Sequence, residues 1–226
     1  MPKDLLVGKA SYEKQEPLPA FASPTVPQET IERLATCINE AERPVICAGG
    51  GVNATDASEE LTKLAKKSRI PVGTTLMSLG CFDRQDPLSL GIIGMHGQKE
   101  ANLAVHNCDL LIAAGARFSD RVTGDASRFA RDARIVHIDI DRSEIGKNVD
   151  ADFSVAGDVK DVLSRLIPKV KRNDRRAWNE QVRSYVAPPA QSDGFCPGVI
   201  IDTVHEIFGD ETIVATDVGQ HQMWTA

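Results

Sequence analysis

Asp109–Asp141, DLLIAAGARFSDRVTGDASRFARDARIVHIDID, decides how this chain is read. Leu110–Ala114 is an apolar run closed by Gly115, and Ile135–Ile140 is a second run punctuated by His137 and Asp139. Both have the length of a strand, and near-continuous apolar character marks strands covered on two faces by helices, as in a parallel α/β sheet. Ligands of such sheets sit in the crevice beyond the carboxyl ends of the strands. The polar residues that follow the first run (Arg117, Asp120, Arg121) and close the second (Asp139, Asp141) fall where a nucleotide-sized ligand would lie. Arg117, Asp120 and Arg121 can also be read as a surface ion-pair cluster, which would contribute little.

Working outward, the same pattern recurs. Pro27 followed by Ile31, Leu34, Ala35 and Ile38 predicts an amphipathic helix to about Ala41. Pro44–Ala48 reads as a core strand running into Gly49, Gly50 and Gly51, and Asp56–Lys67 as a helix with Leu61, Leu64 and Ala65 inward. Gly49, Gly51 and Ala54 fit a loose G-x-G-x-x-A dinucleotide fingerprint. The acid that an NAD ribose requires about 20 residues on is missing, because Arg69–Leu76 carries Thr74 and Thr75 instead. Pro71–Thr75 is expected as a strand, Leu76–Asp86 as a loop, and Gln98–Asn107 as a helix preceded by the glycine-rich GIIGMHG, which includes His96.

After Asp141 come a helical turn at Ser143–Lys147, a last strand at Ala151–Ala156 and a helix at Val159–Ile167 with Asp158 as its cap. Lys169–Val186 reads as a charged outer helix with Trp178 and Val182 on one face. Pro188 and Pro189 mark a boundary, Pro197–Phe208 is a helix, and Thr212–Ala215 begins a new strand. The first 26 residues, with Pro2, Pro17, Pro19 and Pro24, read as a linker.

Composition narrows the function classes. The 226 residues are 42% hydrophobic, enough for a sizeable core, and 26 basic against 32 acidic residues give a net charge of -6 with no basic run. Nucleic-acid binding therefore has no electrostatic footprint. No apolar stretch approaches the roughly 20 residues that span a bilayer, and the charged, proline-containing N-terminus is unlike a signal peptide. Five cysteines without CxxC spacing read as reduced thiols.

GMHG (Gly94–Gly97), GARFSDRVTG (Gly115–Gly124), HIDID followed by EIGKN (His137–Asn148) and DVGQHQMW (Asp217–Trp224) occur in an order and spacing that resemble the catalytic (large) subunit of acetolactate synthase. The resemblance covers essentially the whole chain. It implies a Rossmann-like six-stranded parallel sheet with helices on both faces. It further implies a linker over 1–26 from a pyrimidine-binding domain (Pro2, Lys3 and Asp4 matching its tail), a central FAD-binding domain over 27–171, a linker helix and loop over 172–197, and the truncated start of a diphosphate-binding domain over 198–226.

Members of that family decarboxylate pyruvate on thiamine diphosphate and join it to a second 2-oxo acid in branched-chain amino acid biosynthesis, with an FAD that is not turned over in the main reaction. Carried over by motif, the FAD-contacting positions are Gly50, Gly51, Thr75, Leu76, Gly94, Met95, His96, Gly97, Gly115, Arg117, Arg121, Val122, Asp139, Ile140, Asp158 and Val159. Asp120 and Arg121 match residues of the substrate channel, and Gln220 and His221 match thiamine diphosphate contacts. Ser119 and Gln98 depart from the Asp and Thr usual in the family.

The glutamate that activates thiamine diphosphate and the GDG…N motif that holds its Mg²⁺ are family features with no match here. The resemblance therefore implies no catalytic or metal-binding residue in this chain and no activity of the chain alone. It also implies a homo-oligomeric full-length enzyme, a regulatory small subunit and a cytoplasmic location, or an organellar one in a plant or fungus. Two other readings stand beside it: a related thiamine-diphosphate enzyme of the glyoxylate carboligase or pyruvate oxidase type, and a non-catalytic flavin- or nucleotide-binding module.

Overall fold

The computed structural model describes residues 6–9, 11–17, 22–186, 196–209 and 212–226. The expected tail at Pro2, Lys3 and Asp4 and the boundary at Pro188 and Pro189 lie outside them. The chain builds α1 (Gln28–Glu40), β1 (Pro44–Ala48), α2 (Gly50–Ala54), α3 (Ser58–Ser68), β2 (Val72–Thr74), a 3₁₀ turn (Leu76–Ser78), β3 (Ser89–Ile92), α4 (Lys99–Asn107) and β4 (Leu110–Ala114). It continues with α5 (Asp120–Thr123), β5 (Arg134–Asp139), β6 (Phe153–Ala156), α6 (Val159–Leu166), α7 (Arg176–Arg183), α8 (Pro197–Phe208) and α9 (Gln220–Thr225). None of the described helices is long and apolar enough to cross a membrane.

The six strands form one parallel sheet in the order β3-β2-β1-β4-β5-β6. Because β1 pairs with both β2 and β4, the winding reverses between β1 and β4, and a crevice opens at the carboxyl ends of these two strands. Every residue of β1 and β4 is buried, as two-faced coverage requires. Alternation along the strands splits the core. Ile46, Leu110, Ile112, Val136 and Ile138 face α1, α3 and α6 through Ile31, Leu34, Leu61, Leu64, Val162 and Leu166. Val45, Cys47, Leu111, Ala113 and Ile135 face the other way, onto Ala101, Ala104, Val105, Trp178 and Val182.

Several expectations change in three dimensions. The sixth strand is Ser89–Ile92, inside a stretch with no strand signal of its own. It is short, lies on the sheet edge and carries Gly91 at φ +73°. Gln98, the residue in place of a family Thr, completes this edge: its side-chain oxygen accepts from the Ile92 N–H. Thr212–Ala215 is not a strand. It has no ladder partner among the described residues, and Ile213 is 95% exposed. Ser143–Lys147 forms turns nucleated by Asp141, whose carboxylate accepts from the Ser143 N–H (2.8 Å) and hydroxyl (2.7 Å).

The segment read as a linker helix from 172 enters the core over Arg175–Val182, and its helix is confined to Arg176–Arg183. The buried Arg175 guanidinium donates to the carbonyls of Ser68, Ile38 (2.7 Å) and Ala41 (3.3 Å), so it satisfies the orphaned carbonyl ends of both α3 and α1. Trp178 Nε1 donates to the Pro44 carbonyl at 3.0 Å.

Candidate functional site

The crevice is shaped first by backbone. Past the ends of β1 and β4 the chains stay in hydrogen-bond contact: Gly49 N–H donates to Ala114 O (2.9 Å), Gly51 N–H to Gly115 O (3.0 Å) and Gly115 N–H to Ile138 O (2.8 Å). A Cβ on Gly49 would stand 2.1 Å from the Gly115 oxygen, and one on Gly51 would stand 2.7 Å from the Gly115 Cα. The glycine run thus serves the close approach of two loops, which leaves the floor of the crevice without side chains.

The 3₁₀ turn makes one wall. Ser78, fully buried, sends its hydroxyl to Ala48 O at 2.6 Å and accepts from Thr75 N–H at 2.9 Å, while Thr75 N–H also reaches Ala48 O at 2.9 Å. Asn53 Nδ2 ties down the carbonyls of Met77 (3.4 Å) and Leu79 (3.3 Å). With its backbone pinned to the end of β1, the turn presents Leu76 and Met77 as an exposed apolar rim.

The opposite wall is the turn after Gly115. Ala116 and Phe118 are buried while Arg117, Ser119 and Arg121 are exposed. Phe118 adopts a left-handed backbone (φ +49°) and is held edge-on between Phe129 and His137, with ring centroids 5.6 and 5.0 Å away. Asp139, at the end of β5, closes the far side. It is 7% exposed, and one carboxylate oxygen accepts from Asp141 N–H at 2.9 Å. These elements enclose a cleft of about 520 Å³ that brings together Gly50, Gly51, Thr75, Leu76, Gly115, Arg117, Arg121, Val122 and Asp139.

Neither Arg117 nor Arg121 is in an ion pair with any described residue, and Asp120 uses its carboxylate on the Arg121 N–H at 3.0 Å. The surface ion-pair cluster does not form. Arg121 instead touches the Met95 sulfur at 3.6 Å. It stands between this cleft and a second one of about 460 Å³, which also contains Leu76, Val122, His96, Gln220 and Met223.

Gly94 and Gly97 are held by the loop itself. Asn102 bonds both the N–H and the carbonyl of Gly94 at 2.9 Å, Met95 N–H reaches Arg121 O at 2.8 Å, and a Cβ on Gly97 would meet Ile92 O at 2.2 Å. Gly94 and Met95 line a separate depression with Val122, Arg128 and Phe129. Ile140, Asp120 and His221 border neither cleft. Asp158 caps α6 by accepting from Asp161 N–H (3.1 Å), and Val159 is buried in the core.

Ser78, Met77 and Phe118 shape the cleft without having been singled out in the sequence. The alternation Ala116-in, Arg117-out, Phe118-in was the one available signal for Phe118. Burial, the leading cause, lowers the pKa of His137, against the opposing influence of the Asp139 charge. Cys47 is pushed up to about 12 and Cys81 to about 11, in both cases first by burial, which leaves them as inert thiols.

Residues 31–166 match the family model described as thiamine pyrophosphate enzyme, central domain. Among curated proteins, the chain is 45% identical to the probable acetolactate synthase large subunit of Methanocaldococcus jannaschii, an alignment covering 100% of the chain and 42% of that protein. It is 40% identical to the acetolactate synthase isozyme 1 large subunit of Escherichia coli K12 (100% and 41%) and 41% identical to an acetolactate synthase of Mycobacterium leprae (100% and 39%). The chain spans about two fifths of the length of these relatives.

Proposed function

The chain belongs to the thiamine pyrophosphate enzyme family, whose central domain it carries, and from that premise we propose that it is the FAD-holding part of an acetolactate synthase large subunit. The whole enzyme, in this reading, decarboxylates pyruvate and joins it to a second 2-oxo acid. The observation that carries the FAD assignment is the pair of guanidinium groups without ion-pair partners among the described residues, Arg117 and Arg121, set in a crevice with a side-chain-free floor at the switch point of the sheet.

Each wall suits one part of a flavin dinucleotide. Arg117 offers a planar fork of donors to a diphosphate. Asp139 keeps one carboxylate oxygen for ribose hydroxyls, and the Leu76–Met77 rim with Val122 supplies an apolar surface for a flat ring. Gly50 and Gly51 let a ligand lie against backbone. Thiamine diphosphate, when bound, supplies the carbon nucleophile of the reaction. This chain contributes to that centre by position: Gln220 lies beside His96 and Arg121 in the second cleft, where Arg121 holds the carboxylate of a 2-oxo acid and the neighbouring Ile92, Ile93 and Met223 exclude water.

The 226 residues contain no GDG motif for a Mg²⁺ ion, so the chain alone forms no acetolactate. The remaining FAD positions (Gly94, Met95, His96, Gly97, Ile140, Asp158, Val159), the thiamine diphosphate contact at His221, the homo-oligomer, the regulatory small subunit and the cytoplasmic location rest on the family resemblance.

The test is a titration of the chain with FAD, NAD and ADP, followed by flavin fluorescence and by melting temperature. Saturable binding that prefers FAD, weakened roughly 10- to 100-fold by Arg117→Ala through loss of a charge-assisted hydrogen bond, is the expected result. Preference for NAD, or no binding of any of the three, would overturn it.

A further inference from the structure

His137 is the one polar residue on the inward face of β5 below Asp139, and it is 1% exposed. A leucine would fill that layer without the cost of burying an imidazole. Its strand neighbours across the sheet, Ala113 and Ser154, bring no charge to it. Its value must lie in what the ring touches.

The ring packs T-shaped against Phe118, the buried residue of the left-handed turn that turns Arg117 outward. Nδ1 accepts from Gly146 N–H at 3.5 Å, in the turn that follows β5. That second turn reaches back to the first, because Asn148 Nδ2 donates to the Arg117 carbonyl at 3.0 Å. It is also tied to the cleft through Asp141 N–H on Asp139. The result is a closed circuit of contacts: His137 to Phe118, Phe118 along the chain to Arg117, Arg117 to Asn148, and Gly146 back to His137.

We infer that His137 is a positioning residue for nucleotide binding: its neutral ring locks the Arg117 turn against the 141–148 turn and so sets the Arg117 guanidinium relative to the Asp139 carboxylate. The acceptor role of Nδ1 requires the tautomer with its proton on Nε2. The inference rests on the nucleotide reading of the cleft.

The test is a double-mutant cycle on FAD affinity, using His137→Phe, which keeps the ring contact with Phe118 and lacks the acceptor, together with Arg117→Ala. His137→Phe is expected to weaken FAD binding about fivefold, the effect of one net hydrogen bond. In the Arg117→Ala background it is expected to change affinity less than about twofold. His137→Asn, which keeps an acceptor near the Nδ1 position but gives up the ring contact with Phe118, breaks the other link of the circuit and is expected to weaken binding as well, again by less than about twofold in the Arg117→Ala background.

Should His137→Phe not fold, Asn148→Ala breaks the same circuit from an exposed position, and the same sub-multiplicative pattern with Arg117→Ala is expected. Losses that multiply in the double variant would overturn the inference and leave the FAD reading standing. Failure of the unaltered chain to bind FAD would overturn both.

Discussion

Replacing Gly115 by alanine tests the central geometric statement, that the crevice exists because two loops meet at glycine. Gly115 has φ +61°, and its added Cβ would stand 2.6 Å from the Gly51 Cα and 3.0 Å from the Gly51 carbonyl carbon and nitrogen. Two costs add. A left-handed backbone costs an L-residue about 1–2 kcal/mol, and forcing a methyl group into packed backbone costs about 1–3 kcal/mol more. The total is roughly 2–5 kcal/mol, a large part of the 5–15 kcal/mol that holds a typical domain together.

Gly80 supplies the control. It has a comparably positive φ of +84°, but nothing lies within 4 Å of its Cβ position, so Gly80→Ala carries only the first cost. The assay is urea and thermal unfolding followed by tryptophan fluorescence in a Trp224→Phe background, so that Trp178, which is 3% exposed, reports the core. Gly115→Ala is expected to lower the melting temperature by roughly 5–15 °C, and Gly80→Ala by a few degrees. Equal effects of the two substitutions would refute the close-approach argument, since backbone conformation alone would then explain Gly115.

Two further outcomes follow from the core. Trp178→Phe leaves the buried Pro44 carbonyl without the Nε1 donor at 3.0 Å and is expected to destabilise by about 1–3 kcal/mol in denaturant unfolding; a loss under about 0.5 kcal/mol would show that water replaces the bond. For His137, burial lowers the native pKa below the unfolded value of 6.5, so between those two values the unfolded chain holds the extra proton. Stability contributed by the neutral ring is therefore complete above pH 6.5 and declines as pH falls toward the native pKa. Unfolding free energies measured from pH 8 to 5 should show this decline, and His137→Phe should remove that part of it.

The core of the sheet was legible because local pattern and tertiary environment agree. Leu110–Ala114 is apolar along its length and Ile135–Asp139 apolar apart from His137 and Asp139, since helices cover both faces, and Ile31, Leu34, Ala35 and Ile38 repeat at the helical period because one side of α1 meets the sheet. The positions of Arg117 and Asp139 at strand ends followed from the same rule. Ser89–Ile92 escaped notice because an edge strand is defined by the backbone bonds it receives, which leave little trace in the side chains. The short helices Asp120–Thr123 and Gln220–Thr225 were missed for a related reason: one or two turns contain too few residues to show a period.

What the linear order of residues determined by itself was the alternation of buried strands and amphipathic helices, and the glycines and arginines placed after them, because these depend on neighbours within a few residues. The three-dimensional structure alone decided which strands lie side by side, and hence that the reversal falls between β1 and β4. It likewise decided that Arg175 serves the carbonyl ends of two helices more than a hundred residues earlier in the chain, and that His137 joins two turns. The strand order and the Arg175 contacts depend on partners distant in sequence, and the His137 contacts, though nearer along the chain, depend on how the two turns fold back on one ring, so no local period or propensity encodes them.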